Sequence, residues 1–286
     1  MHCMSNLTKG AFFIVVSMLF LNACHPSPTP GATSNEDDFS GYASDASRVE
    51  WVTDDVISIA DASGFIYNGT TMKTTHTTLG TCCTVGTDTI SSPHTLTIRF
   101  GPNDCLCQDG RYRKGTIVVN YFGHYSDTAQ VHLLTFDNYY VNDIQVSGYI
   151  KTLRKDTTVV GDWYYKVLVN DSLNMSQDPL NSQYVVWTGN LVRKWVSGYV
   201  TTLDRNDDAW SVSGNATLTR PNGHQFSCDI ATPLQFATNC DFAESGVIDV
   251  TGYLSPMRVL NYGPSNCDGA AALNIGTNLY NITLVK

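Results

Sequence analysis

Seven cysteines beyond residue 24 carry the first chemistry legible in this chain: Cys82, Cys83, Cys105, Cys107, Cys228, Cys240 and Cys267. The doublets "TCCTV" and "DCLCQDG" bracket "TVGTDTISSPHTLTIRFGPND", a run long enough for two strands and a turn. In an oxidising compartment such doublets persist as disulfides; as thiolates, CC and CxC spacings suit a soft metal such as Cu(I) or zinc. No histidine lies at metal-finger spacing, so pairing is the better reading. The expectation is one or two bonds joining Cys82 and Cys83 to Cys105 and Cys107. A further bond joins Cys240 to Cys267 across two strand-like runs and a Ser-Pro turn. Cys228, in a hairpin strand after Asn222-Gly223, is then the odd thiol, buried and inert.

Three other constellations could carry chemistry. If "YSDTAQV" turns about Thr128, His124 and His132 face one another across a hairpin and could share a transition metal, although a site wants a third ligand. "DRNDDAW" sets Asp204, Asn206 and Asp208 at alternate positions, like the start of a calcium loop. The sixth and twelfth positions are Ala209 and Asn215 rather than Gly and an acid, which leaves at most a calcium-stabilised turn. Arg111, Arg113 and Lys114 cluster in an acidic chain and could grip a carboxylate or phosphate, or simply form a charged turn. Hydrolase contexts of the G-x-S-x-G, H-E-x-x-H and S-x-x-K kinds are missing. Glu36, Glu50 and Glu244 are the only glutamates, so a hydrolase here would depend on aspartates. No catalytic residue is assigned, and no cofactor is expected.

These residues follow a leader. "AFFIVVSMLFL", from Ala11 to Leu21, is preceded by Lys9 and is too short to span a bilayer, which takes about 20 residues. A positive start, an apolar core and small residues near a cut site describe a secretion signal. Its end, Leu21-Asn22-Ala23-Cys24, resembles the lipobox of bacterial lipoproteins. That resemblance implies a lipid thioether on Cys24, cleavage before it, and N-acylation. Several acyl chains together hold a protein on a membrane where one does not. The tail "HPSPTPGATSNEDDF" alternates prolines with polar residues and reads as a stiff, extended tether. The expected organisation is a signal peptide over residues 1–23, a tether over 24–42, an amphipathic helix over 43–64 and a β-rich body over 65–286.

Loss of Lys9 with the leader takes the net charge from −9 to −10. Such a chain suits neither nucleic acid, whose binding neutralises phosphates with Lys and Arg, nor electrostatic docking on anionic lipid. The partners expected are the membrane, through the lipid anchor, and a protein or glycan ligand.

The helix is read from Ala46, Val49, Val52, Val56, Ile59 and Ala60, which recur at mostly three- and four-residue steps. Ser47-x-x-Glu50 spells a capping box and Gly64 a stop. Asp54, Asp55 and Asp61 lie off the apolar stripe. Beyond Phe65 the period becomes two, as in "HTLTIRFG", "AQVHLLTFDNYYV", "DWYYKVLVND", "SQYVVWTGN", "KWVSGYVTTL" and "WSVSGNATLTR". Gly, Asn and Asp between these runs point to an antiparallel meander, with Asn222-Gly223 as one hairpin turn. "VSGYI", "VSGYV" and "VTGYL", starting at Val146, Val196 and Val250, form an internal echo that reads as repeated curved strands. The fold class is mainly β, a large antiparallel sheet or sandwich-like body with one N-terminal amphipathic helix. Side-by-side aromatics in "DWYYKVLV" and "FDNYYV" put some rings on each face.

"DGRYRKGTIVVNYFGHY", "TFDNYYVNDIQVSGY", "ATLTRPNGHQF" and "LNYGPSNCDGAAALNI" are similar to segments of a family of uncharacterised bacterial lipoproteins. The family combines a lipobox, a short helical region and a β-rich body with an FDNYYVN-type phrase. The resemblance implies that architecture and supplies no activity. The expectation is an outer-membrane lipoprotein, periplasmic or surface-facing, that acts as a non-catalytic binding or scaffold module. The alternatives are an aspartate-based hydrolase, marked by a cleft with two close carboxylates of raised pKa, and a subunit of an envelope assembly complex.

Overall fold

The computed structural model describes residues 39–66, 80–156, 163–175, 183–198, 207–238, 240–252 and 256–284. Cys24, the tether up to residue 38, and Asp204 and Asn206 of the calcium-like run lie outside them, while residues 39–42 of the expected tether are helical. Among the described residues one helix, α1 (Phe39–Ile66), is followed by strands alone. These are β1 (Thr84–Asp88), β2 (His94–Leu106), β3 (Tyr112–Tyr121), β4 (Val131–Val141) and β5 (Ile144–Asp156). Next come β6 (Trp163–Asn174), β7 (Tyr184–Ser197), β8 (Ala209–Thr219) and β9 (Gln225–Ala237). The chain closes with β10 (Ser245–Gly252), β11 (Arg258–Asn261), β12 (Ala270–Ile275) and β13 (Asn278–Thr283).

The expected mainly β, antiparallel architecture with one N-terminal helix is what the chain adopts. All thirteen strands belong to one sheet, in sequence order, each antiparallel to the next. "SQYVVWTGN" and "KWVSGYVTTL" are not separate strands, because Tyr184–Ser197 runs on as a single strand. β1, β9 and β11 fall where strands are expected between the cysteine doublets, after Asn222-Gly223 and after the Ser-Pro turn, whereas β12 and β13 match no expected strand. β9 carries Pro233, and its pairing with β10 breaks register between Ser245 and Val247, where a missing N–H is tolerated.

The helix departs most from expectation. It begins at Phe39 rather than 43 and runs on through Gly64 to Ile66. A Cβ on Gly64 would lie 2.5 Å from ring carbons of Tyr125, so that glycine admits an aromatic ring and does not stop the helix. From 41 to 64 no helix residue is exposed. An amphipathic helix has a wet face; this one has none. Its Ser, Asp, Thr and Val content is poor in helix propensity, so tertiary packing holds it. Partners come from both halves of the sheet. Tyr42 packs on Phe226 of β9, Arg111 and Arg113 at β3 reach Asp55, and Arg193 of β7 reaches Asp54 and Ser58. The sheet thus takes the helix as its core element, with Leu96, Ile117, Leu134, Ile150, Val169 and Trp187 in one buried cluster with Val49, Val52 and Val56.

Candidate functional site: the charged interior and the outer face of the sheet

"DGRYR" builds the tightest polar structure. Arg111 and Arg113 are two residues apart in an extended segment, so both point to the same face, and that face is inward. Arg113 is fully buried and donates to Asp55 Oδ1 and Oδ2 at 2.8 and 3.0 Å and to Asp109 Oδ2 at 2.7 Å. Arg111 donates to Asp55 at 2.7 Å, to the Cys240 carbonyl at 3.0 Å and to Asp241 at 3.3 Å. Burial alone would lower the Arg113 pKa, but Asp55, then Tyr139 and Asp109, outweigh it and keep the guanidinium charged. Lys114, next in sequence, points outward to the half-exposed Asp104 at 3.1 Å. The basic cluster therefore divides. Two arginines clamp the helix to the sheet, and one lysine stays at the surface.

The same logic recurs along α1. Arg193 donates to Asp54 at 2.5 Å and to Ser58 at 2.6 Å, with its guanidinium 3.5 Å from the Trp210 ring centre. Arg220 donates to Asp45 at 2.6 Å while lying over Tyr42. The helix aspartates that fell off the apolar stripe are the partners of sheet arginines.

A second buried cluster is acidic. Glu50 on α1 and Asp171 on β6 are each 2% exposed. Burial and then Asp54 push the Glu50 carboxyl up to about 8. Burial and then Glu50 push Asp171 well above the usual carboxylate range. Apart from its own backbone, Asp171 has no hydrogen-bond partner among the described residues. The Cys228 thiol and the Tyr262 phenol are raised too, by burial first and by Glu50 second for Cys228; for Tyr262 a Ser47 hydrogen bond opposes burial, and Glu50 adds to it. The interior beside these groups is nearly full. A cavity lined by Trp51, Asp54, Ser58, Trp210 and Phe236 measures about 40 Å³, and one beside Glu50, Val167 and Arg193 about 10 Å³. Those spaces admit a few waters at most.

His132 and His124 do not face each other. β3 ends at Tyr121, so His132 on β4 falls beside that ring, at 6.0 Å, and beside Tyr125 at 4.1 Å, while His124 is exposed in the connection. Burial lowers His132 to about 4, with Tyr125 opposing and Arg154 adding to the fall. Asp208 is buried, and its backbone carbonyl accepts from the Thr238 amide at 3.1 Å. Among the described residues no group of three or more His, Cys, Asp or Glu is placed to hold a metal.

The cysteines meet as the hairpins require. Cys82 pairs with Cys105 and Cys240 with Cys267, at Cα separations of 5.6 and 5.3 Å. Cys83 is half-buried and unbridged, as are the buried Cys107 and Cys228. Burial, then the neighbouring Cys107, pushes the Cys83 thiol up to about 11, with Arg113 opposing.

"FDNYYVN" is structural. Asn142 and Asp143 both have positive φ and close the two-residue turn between Val141 and Ile144, the arrangement a tight hairpin needs. Tyr139 is buried beside Arg113, and the Asn142 side chain accepts from the Tyr112 amide at 3.0 Å.

The outer face of the central strands holds a feature that single-strand reading missed. Register joins Tyr149, Asn170, Thr188, Thr217, Ser227 and Thr251 into one row crossing β5 to β10. A parallel row joins Lys151, Leu168, Asn190, Asn215, Asp229 and Asp249. Between them lies a depression of about 360 Å³. The only signal in the sequence is the polar member of each alternation, and its alignment across strands needs the register.

Comparison with protein-family models, with curated proteins and with solved structures finds no match. Among the described residues no helix is long and apolar enough to cross a membrane.

Proposed function

We propose that this chain is a lipid-anchored cell-envelope protein that binds a partner through the outer face of its sheet and performs no catalysis. The observation carrying the binding half is the contrast between the two faces. The inner face is filled by a helix and braced by ion pairs, and the spaces beside Trp210 and beside Glu50 measure about 40 and 10 Å³. The outer face keeps a depression of about 360 Å³ lined by solvent-facing polar side chains. A raised-pKa carboxylate pair would favour an aspartate-based hydrolase, but Glu50 and Asp171 are each 2% exposed, and the space beside Glu50, about 10 Å³, is too small for a substrate. Lipidation at Cys24 is supported by Leu21-Asn22-Ala23-Cys24 after a short apolar core.

Radioactive palmitate tests the anchor. The wild-type protein takes up label and partitions into detergent, and Cys24→Ala does neither; an unlabelled, freely soluble wild type sinks the reading. Purification from detergent-solubilised membranes tests the role, since stoichiometric co-purifying proteins would replace the binding module with a subunit of an assembly complex.

A further inference from the structure

We propose that the two side-chain rows on the outer face of β5–β10 bind a neutral oligosaccharide, an assignment that rests on the binding role above and names its ligand class. The depression is lined by the amides of Asn170, Asn190 and Asn215 and the hydroxyls of Thr188, Thr217 and Ser227. Asn170, Thr188, Asn190, Asn215 and Ser227 are exposed and Thr217 half-buried. An amide offers two donors and an acceptor, and a hydroxyl offers both roles. Ligand hydroxyls need that same mixture, because each both donates and accepts.

Charge narrows the choice. Lys151 stands at one end of the second row, and Asp229 and Asp249 face each other at the other. Between them the rows carry no charge, so an anion would meet repulsion at the acidic end and find a single lysine as its counter-ion. Asp229 also lines the depression, where a carboxylate can accept from two neighbouring ligand hydroxyls at once. Leu168, 38% exposed, and Tyr149 add apolar contact for the C–H face of a ring.

Protein partners fit less well. The backbone groups of β5–β9 are engaged in ladders with neighbours on both sides, so no strand can add to this face. A protein interface wants an apolar, aromatic centre, and here the centre is asparagine and threonine. Neighbouring strands lie about 4.8 Å apart. A chain lying across them therefore meets one side chain per strand in each row, all but Leu168 carrying a polar group, a repeat close to the length of one pyranose ring.

The test is native affinity electrophoresis of the full-length protein in a non-glycosidic detergent. The gels contain dextran, galactomannan, arabinoxylan or hydroxyethylcellulose. Retardation is expected in at least one gel, with affinity falling roughly tenfold, the equivalent of about 1.4 kcal/mol, in Asn190→Ala and in Thr188→Ala. Tyr280→Ser, on the exposed side of β13, is expected to migrate as wild type. All three positions are solvent-facing, so circular dichroism and thermal melting should match wild type throughout. Mobility unaltered in all four gels overturns the assignment, as does retardation indifferent to Asn190→Ala and Thr188→Ala. Self-association or a bound protein that those substitutions abolish overturns it in favour of a protein contact. Palmitate labelling of Cys24 is independent of the gels. Failed retardation with intact labelling removes the sugar and leaves the anchored protein, whereas failed labelling removes the anchor whatever the gels show.

Discussion

Arg113 on β3 and Asp55 on α1 form a two-pronged ion pair, at 2.8 and 3.0 Å, in which neither side chain is more than 3% exposed. Asp55 also accepts from Arg111 at 2.7 Å. Removing one partner of such a pair leaves an uncompensated buried charge. Asp55→Asn should therefore cost about 3–5 kcal/mol. Asp104→Asn, which loses only the surface contact with Lys114, should cost less than about 1 kcal/mol. Urea midpoints of the two variants check this; similar shifts would mean that the interior clamp contributes no more than a surface bridge.

Gly115 should be nearly irreplaceable and Gly101 only moderately so. Both have positive φ, at 84° and 83°. A Cβ at Gly115 would sit against the Asn138 carbonyl oxygen, where β3 and β4 shift register, whereas one at Gly101 meets nothing. Gly101→Ala should cost about 1 kcal/mol, the strain of the conformation alone. Gly115→Ala should cost more, because the backbone of β4 must also move. Thermal denaturation of the pair measures the difference, and equal costs would contradict it.

The buried carboxylates set an unusual pH dependence. Glu50 titrates near 8 when folded and near 4.5 when unfolded. Between those values the folded state holds a proton that the unfolded state has released, so stability falls as pH rises. His132 has the opposite sign. Its folded value of about 4 lies below the ordinary 6.5, so stability falls as pH drops through that window. Above about pH 6.5 only the carboxylate slope remains. Glu50→Gln should flatten it there by about 1.4 kcal/mol per pH unit, and His132→Asn should lessen the loss below pH 6. Denaturation midpoints from pH 4.5 to 8.5 check both, and an unaltered slope in Glu50→Gln contradicts the assignment.

The two disulfides close stretches with sequence separations of 23 and 27. Cys240→Ser should cost about 3 kcal/mol by relaxing the unfolded chain. Cys228 is 2% exposed, and burial raises its thiol, so a thiol reagent should leave it unmodified until the protein unfolds. Prompt labelling of Cys228 in the native protein would be the contrary result.

The strands were legible because period-two alternation is local: "GTIVVNYFGHY" needs only its own residues to declare two faces. The Cys240–Cys267 bond was equally legible, because two strand-like runs and a turn bring their ends together. Asn222-Gly223 marked its hairpin by backbone preference alone, and Gly223 indeed has positive φ. The limit is where a residue's meaning depends on something distant. Asp55 was legible only as a residue off the apolar stripe, and Arg111 and Arg113 only as a basic cluster that could grip an anion or form a charged turn. Each is uninterpretable without the other, 56 or more positions away. Gly64 spelled a helix stop until Tyr125 occupied the space its side chain would fill. The facing of His124 and His132 depended on where β3 ends, which only pairing with β2 and β4 decides.

By itself, then, the sequence determined a helix, a meander of antiparallel strands and one cysteine pairing, since local preference and short loop closure suffice for these. Tertiary structure alone decided that one sheet takes the helix as its core, turning a nominally wet face into a set of buried ion pairs. It also decided that asparagines and threonines from four strands align in rows. Cross-strand register is a property of pairs of strands, and no single strand carries it.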